Sequence, residues 1–150
     1  AVTLPATWEC TYIEDGRILF AASENFDGND TYGSTFLFFL RQETASLNHP
    51  AGSTAEDILL YSWEFAARNE PDLVPMVAPY TFSLGAFQAA SGAWGATQEG
   101  TFAIAYQTVI VAGDTTILAI GNTPEDNWDE NIAIFDEIVW SMAIGEYQVP

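Results

Sequence analysis

Uniformly apolar and alternating positions predict that the N-terminal part of this chain forms three strands. Residues 9–13 and 17–22 flank the turn signal Glu14-Asp15-Gly16, so we expect them to pair as an antiparallel hairpin. The polar, glycine-containing stretch 24–34 indicates a loop. Residues 36–40 are apolar at every position, which is typical of a strand covered on both faces. We therefore expect this strand in the centre of a sheet.

The second half of the chain shows another group of strand patterns. A strand is expected from Met76, and Pro79 within it indicates an edge position or a bulge. Residues 85–100 are rich in glycine and predict a loop or an irregular strand. Residues 101–111 carry large apolar side chains at alternate positions, and after a tight turn residues 115–120 are expected to pair back.

A capping signal opens the first predicted helix. The order Ser53-Thr54-Ala55-Glu56 has the form of a capping box, in which the serine hydroxyl accepts from the helix backbone and the glutamate reaches back. Apolar residues at helical spacing then indicate a helix that continues to about Arg68. Pro71 lies just beyond this end, where helices often stop.

A second helix is predicted near the C-terminus. Thr123 is placed to cap it, with Pro124 at the first helical position and acidic residues in the first turn. Gly145 is the expected end. One apolar face recurs every three or four residues, at Trp128, Ile132, Phe135, Val139 and Met142. The order of elements predicts an α+β fold, a central antiparallel sheet flanked by helices on both faces, and one domain over residues 1–150.

The charge of the chain is almost entirely of one sign. There is no lysine, and three arginines stand against 21 aspartates and glutamates, for a net charge of -18. Because 49% of the residues are hydrophobic and the mean hydropathy is +0.08, we expect a folded protein and not a disordered acidic tail. Nucleic acid is excluded as a partner, since phosphate binding needs clustered basic residues. Expected partners are cations, basic surfaces or copies of the same chain.

Several features are typical of an extracellular protein. The chain begins at Ala1 without a methionine, which fits removal of a secretory signal, although a truncated chain would begin in the same way. No apolar run reaches the roughly 18 residues of a membrane span. Cys10 is the single cysteine, so no internal disulfide is expected, and a small apolar role in a strand is favoured. Asn29-Asp30-Thr31 is a glycosylation sequon in a loop that we expect to be exposed.

The order of motifs carries a family likeness. Leu4-Pro5-x-x-Trp8 precedes a hairpin, a mid-chain helix, a long hairpin over residues 100–120 and a closing helix that contains residues 134–141. Over nearly the whole chain this order resembles the PsbP-like family, named for an extrinsic subunit of photosystem II. The resemblance implies a central antiparallel sheet with helices on both sides, in extracytoplasmic proteins that bind or assemble without a shared catalytic site. The basic residues that dock the photosynthetic subunit are missing here, which argues against a photosystem role.

Catalytic chemistry has little support in the sequence. His49 is the single histidine, and it lies in an expected loop, with no serine in a nucleophile-elbow motif. Nothing in the spacing favours a pair between Cys10 and His49. Carboxylate pairs suited to a glycosidase are easily found among 21 acids, and solvated surfaces are the simpler interpretation. We therefore predict no catalytic residues and no enzymatic activity.

Calcium is the ionic ligand that the sequence favours most. Asp27, Asn29 and Asp30 offer hard oxygen ligands within a short loop. The spacing is not that of an EF-hand, and a turn built from loop-forming residues is the alternative interpretation. No other cofactor is indicated.

Two tryptophans fall outside the predicted core faces. Trp94 lies in the glycine-rich stretch and Trp140 lies beside the apolar stripe of the second helix, so both are predicted interaction residues. We predict a non-enzymatic extracytoplasmic subunit that contacts itself or another extracellular protein. The alternative is a small-ligand or calcium-binding module with a pocket between sheet and helices. Any self-assembly should strengthen with salt, calcium or mild acid, which reduce repulsion between copies.

Overall fold

A seven-stranded antiparallel sheet forms the centre of the molecule. The computed structural model describes residues 1–13 and 17–142. The strands within them are β1 (Glu9–Ile13), β2 (Ile18–Ala22), β3 (Phe36–Glu43), β4 (Val74–Leu84), β5 (Phe87–Gln98), β6 (Thr101–Ala112) and β7 (Thr115–Pro124). Their order across the sheet is β1-β2-β3-β7-β6-β5-β4. Two helices, α1 (Ala55–Asn69) and α2 (Trp128–Trp140), accompany them in this described part, which confirms an α+β fold.

The N-terminal pairings follow the hydrophobic pattern. β1 and β2 pair as the predicted hairpin, with Glu9 opposite Ala22 and Ile13 opposite Ile18. The turn predicted at residues 14–16 lies outside the described residues. β3 lies between β2 and β7, so it is an interior strand as expected. The stretch between β2 and β3 consists of turns and bends, which confirms the predicted loop.

Pro79 in β4 lies in the kind of position that the sequence predicts, an edge strand with a bulge. β4 lies at one edge of the sheet, and its register with β5 shifts between Val77 and Tyr80. Pro79, between these two residues, has no N–H to donate to a neighbouring strand. The expected edge position and bulge are therefore both confirmed.

Of the two alternatives predicted for residues 85–100, the loop is wrong and the strand is correct. Most of this stretch is β5, which pairs continuously with β6 and pairs with β4 through register shifts between Pro75 and Tyr80. A Cβ at Gly92 would lie 2.8 Å from Cζ2 of Trp63, and a Cβ at Gly95 would lie 2.6 Å from Cζ of Phe102. The glycines make room for neighbouring rings inside a strand, and a composition count does not distinguish this use of glycine from a loop.

The cap of α1 lies one residue later than predicted. The Thr54 hydroxyl accepts from the Asp57 N–H at 3.1 Å, and the Asp57 carboxylate accepts from the Thr54 N–H at 2.8 Å. A capping box is therefore present, but Ser53 and Glu56 do not form it. The Ser53 hydroxyl donates instead to the carbonyl of Pro50 at 2.7 Å.

The predicted cap of α2 is wrong. β7 extends to Pro124, and a short 3-10 turn, Glu125–Asn127, precedes the helix. Thr123 is buried within the strand, where its hydroxyl lies 3.2 Å from the Thr35 hydroxyl and accepts from the Asn131 side chain at 2.9 Å. Pairing with β6 extends the strand through residues whose local sequence favours a helix start.

α2 packs on one side of the sheet, here called the α2 side. Phe135 and Val139 are fully buried as predicted, and Ile138 joins them. Their partners in β3, β6 and β7 are Leu37, Phe39, Tyr106 and Ala119. The helix end expected at Gly145 lies outside the described residues.

α1 packs on the opposite side, the α1 side, over only part of the sheet. Ile58 and Leu59 contact Ala90 of β5 and Val109 of β6. Val109 and Tyr106 are three positions apart in β6, so their side chains point to opposite sides. Since α1 contacts β4, β5 and β6, the predicted two-sided helical cover is confirmed only in part.

β3 corrects the expectation of a strand covered on both faces. Leu37 and Phe39 are buried on the α2 side, whereas Phe36, Phe38 and Leu40 remain partly exposed on the α1 side. The reason is the position of α1, which lies over the other half of the sheet. An apolar strand surface is left accessible beside the helix.

Candidate functional site

The uncovered half of the α1 side is an apolar surface. Phe38 of β3 lies opposite Phe20 of β2 and Ile120 of β7, and cross-strand partners share one face of a sheet. Leu40 continues the surface in the same way, because it lies opposite Ile18 and Leu118. The apolar face is the set Ile18, Phe20, Phe38, Leu40, Leu118 and Ile120, each of them partly exposed.

A cleft of about 260 Å³ separates α1 from this apolar face. Its apolar lining includes Leu47, Ile58, Phe65, Val109, Leu118 and Ile120. Leu118 and Ile120 belong to both the cleft and the apolar face, so the two form one continuous groove. Tyr61 also lines the cleft, and the side chains of Tyr61 and Phe65 are 55% and 61% exposed.

A few polar groups line the same cleft. Ser62 donates to Oε1 of Gln107 at 3.4 Å, near the upper limit for a hydrogen bond, so both groups can exchange this contact for one with a ligand. The His49 ring packs edge-on against Tyr61 with a centroid distance of 4.8 Å. A mostly apolar concave surface with few polar groups is typical of small-molecule sites.

Three phenylalanines lie at the other end of the apolar face. Phe20, Phe26 and Phe36 contact one another with centroid distances of 5.3, 5.6 and 5.9 Å. Phe26 comes from the loop between β2 and β3, so the ring contacts hold this loop against the sheet. The loop therefore bounds the apolar face at the strand ends where Ala22 of β2 pairs with Phe36 of β3.

The residues predicted to hold calcium lie in this same loop and are exposed. Oδ1 of Asp27 accepts from the backbone N–H of Asn29 at 2.9 Å and from its side-chain amide at 3.1 Å. Oδ1 of Asp30 accepts from the N–H of Gly33 at 3.0 Å. In this arrangement the two carboxylates stabilise turns. Calcium binding and glycosylation at Asn29 stay predictions.

The two predicted interaction tryptophans lie on different sides of the sheet. Trp94 is in β5 on the α1 side, and it is partly buried, with its indole N–H enclosed and without an acceptor among the described residues. Trp140 ends α2 and is 54% exposed. The ring of Trp140 stacks on Phe82 of β4 at 5.0 Å, with an angle of 26° between the ring planes.

The groups weighed for catalysis and metal binding lie on separate elements. Cys10 is exposed in the edge strand β1, and His49 lines the cleft beside α1. Within residues 1–13 and 17–142, no three His, Cys, Asp or Glu side chains are grouped closely enough to hold a metal ion. His49 is thus placed to contact a ligand in the cleft.

The pKa values of Asp57 and Asp136 are shifted in opposite directions from the usual range of aspartate. Hydrogen bonds from the Thr54 backbone and side chain hold the pKa of Asp57 below its usual range. Burial raises the pKa of Asp136, against a lowering contribution from the hydroxyl of Tyr106, which donates to Oδ1 at 2.9 Å. Burial also raises the pKa of Tyr106, so its hydroxyl keeps the proton that it donates.

The apolar face was not assigned a function from the sequence. Its residues Phe38 and Leu40 lie in the all-apolar block that predicts a strand covered on both faces. The usable signal was the second apolar face of β3 itself, because such a face requires either a cover or a ligand. Only the position of α1 distinguishes these two outcomes.

Comparisons with known proteins show a shared fold. Neither a family model nor a curated protein matches this sequence. The structure resembles PA94 from Pseudomonas aeruginosa, a protein of unknown function, with a TM-score of 0.68 and 8% identity over 93% of this chain and 99% of that one. It also resembles LpqN of Mycobacterium tuberculosis, which is involved in cell envelope biogenesis, with a TM-score of 0.68 and 12% identity over 92% and 78% of the two chains.

A third similar structure is cyanobacterial PsbP, CyanoP, from Synechocystis sp. PCC 6803. Its TM-score is 0.61 at 13% identity, over 94% of this chain and 84% of that one. The resemblance to PsbP-like proteins therefore holds at the level of the fold. Neither α1 nor α2 is both long enough and apolar enough to span a membrane.

Proposed function

We propose that this chain is a non-enzymatic binding subunit that works outside the cytoplasm, and that its groove binds a neutral, apolar small molecule. The observation that carries the proposal is the continuous surface formed by the cleft and the apolar face beside α1. This is the small-ligand alternative from the sequence, with the pocket between sheet and helix.

The size and lining of the cleft support a small apolar ligand. Its volume of about 260 Å³ exceeds the roughly 150 Å³ of an apolar cavity that holds benzene. Ser62, Gln107 and His49 provide a few polar contacts that can orient such a molecule. A net charge of -18 disfavours fatty acids and other anions, so a neutral ligand is expected.

The extracytoplasmic part of the proposal is supported by one structural neighbour. LpqN, which shares the fold, is involved in cell envelope biogenesis. The likeness is one of fold, and function does not follow from fold alone. Detection of the full-length protein in cell-envelope or medium fractions, and not in the cytoplasm, tests this part directly.

The groove is tested by titration with the neutral fluorescent probe N-phenyl-1-naphthylamine. Phe65→Ala removes an exposed wall of the cleft and Ser62→Phe fills it, so each should weaken probe binding about tenfold. Leu60→Ala is the matched control, because Leu60 is an exposed apolar residue of α1 that does not line the cleft. Its probe affinity should stay within about twofold of the unmodified protein. Equal probe affinity in all four proteins would contradict the proposal.

Self-association is a second candidate function, supported by strand β1. All five residues of this edge strand are exposed, and Tyr12 and Ile13 are 69% and 45% exposed. Exposed edge strands pair readily with strands of other chains. We expect light scattering to show assembly that grows with salt or calcium and that Tyr12→Asp abolishes. A monomer under every condition would exclude this function.

A further inference from the structure

A second exposed aromatic surface lies on the α2 side, remote in the fold from the groove. Phe82 of β4 stacks on Trp140 of α2 at 5.0 Å, and Tyr80 packs beside Phe82 at 5.8 Å with 33° between the planes. Trp140 is 54% exposed and Tyr80 is 38% exposed. The aromatic strip is the set Tyr80, Phe82 and Trp140.

The three rings can come together because β5 carries only small side chains at this point. Tyr80 lies opposite Ser91 and Phe82 lies opposite Ala89, so only small side chains stand between β4 and α2. Trp140 can therefore reach across β5 to the rings of β4. Three large rings gather at the surface instead of being enclosed in the core.

A carboxylate lies beside the strip. Asp136 precedes Trp140 by one helical turn, so both side chains lie on the same side of α2. Its Oδ1 accepts from the Tyr106 hydroxyl at 2.9 Å, which fixes the carboxylate on the α2 side of the sheet, one helical turn before Trp140. Burial raises the pKa of Tyr80, and the negative charge of Asp136 adds to that rise. Partial burial also raises the pKa of Asp136, which a neighbouring cation would offset.

We propose that the aromatic strip and Asp136 bind a lysine side chain from a basic segment of a partner protein. Ring faces attract cations, and the attraction grows when a carboxylate is adjacent and water is partly excluded. The net charge of -18 raises the local concentration of cationic partners. A second copy of this chain is a poor occupant, because it has no lysine and only three arginines. This site is independent of the groove and of the ligand proposed for it.

The test uses the full chain and a tetralysine peptide, titrated by calorimetry at about 0.15 M salt, where weak long-range attraction is screened. Trp140→Ala should weaken peptide binding about five- to tenfold, in line with a cation–π contact. Asp136→Asn keeps an acceptor for Tyr106 and removes the charge, and it should weaken binding about threefold or more. Acetylation of all the lysines should abolish binding.

Two controls separate the site from general attraction. Glu56→Gln removes one exposed charge on the other side of the sheet, and Phe65→Ala removes an exposed ring there. Both should leave the peptide affinity within about twofold. If Glu56→Gln weakened binding as much as Asp136→Asn, the attraction would be diffuse and the proposal wrong. Binding of the acetylated peptide or of a neutral oligosaccharide with the same dependence on Trp140 would also overturn it.

Discussion

The two sides of the sheet have similar residues but different degrees of cover. On the α2 side, Leu37 and Phe39 of β3 are buried beneath Phe135. On the α1 side of the same strand, Phe38 and Leu40 are partly exposed, because α1 lies over β4, β5 and β6. An apolar strand face can therefore serve either the core or a ligand, and the placement of the helices determines which.

The largest expected effect is the difference in stability loss between removing a buried ring and removing a partly exposed ring. Phe135 is fully buried, with Trp8 and Tyr106 at centroid distances of 6.3 and 5.3 Å, so Phe135→Ala should lower the free energy of unfolding by about 3–5 kcal/mol. Phe38 is partly exposed, so Phe38→Ala should cost roughly 1 kcal/mol. Urea unfolding of both variants measures the difference. Equal losses would mean that the apolar face is as well covered as the α2 side.

A smaller loss of stability is expected from a substitution that tests how closely α1 packs on β5. In Gly92→Ala the new Cβ would lie 2.8 Å from Cζ2 of Trp63 and 3.2 Å from the carbonyl oxygen of Val77. We expect a loss of about 1–3 kcal/mol in urea unfolding from this overpacking. Gly28→Ala is the control, because the nearest atom to its Cβ is 3.9 Å away in an exposed loop, and its effect should stay within about 0.5 kcal/mol. A neutral Gly92→Ala would show that Trp63 can move freely.

The smallest expected effect is the change in stability with pH that one carboxylate from each helix contributes. The pKa of Asp57 on α1 is lowered, so its stabilisation is present at neutral pH and is lost as the pH falls through the folded-state pKa. The pKa of Asp136 on α2 is raised, so its contribution is present at low pH and is lost as the pH rises through that raised pKa.

The two variants Asp57→Asn and Asp136→Asn should therefore respond to acid in opposite ways. Between about pH 7 and about pH 3, below the ordinary aspartate pKa, the stability of the unmodified protein relative to Asp57→Asn should fall. Over the same range its stability relative to Asp136→Asn should rise. Urea midpoints at the two pH values measure both trends, and parallel trends would contradict the assigned environments.

Much of the fold follows from local patterns. The hairpin of β1 and β2, the strand over 101–111 and its return, and the edge position of Pro79 are all indicated by apolar periodicity and by the lack of an N–H in proline. The buried stripe of α2 at Phe135 and Val139 follows from helical spacing. These features depend on residues close together in the sequence.

Other features depend on distant contacts and were not accessible in this way. The glycines of β5 fit a strand because the rings of Trp63 and Phe102 occupy the space of a Cβ. Thr123 belongs to a strand because β6 pairs with it, although a helix follows shortly afterwards. Trp140 was suspected as a surface aromatic from its spacing, but its stacking on Phe82 requires the approach of α2 to β4 across small residues.

The amino-acid sequence alone determined that this protein is an acidic α+β chain without lysine, with strands that are apolar on two faces and helices that are apolar on one. Its composition already disfavoured nucleic acid and favoured cations, basic surfaces or copies of the same chain as partners, because charge is independent of folding details. The tertiary structure decided which apolar residues belong to the core and which form the groove, since that depends on which strands α1 packs against. It likewise placed Asp136 beside exposed rings, because only packing brings residues from β4, β6 and α2 together.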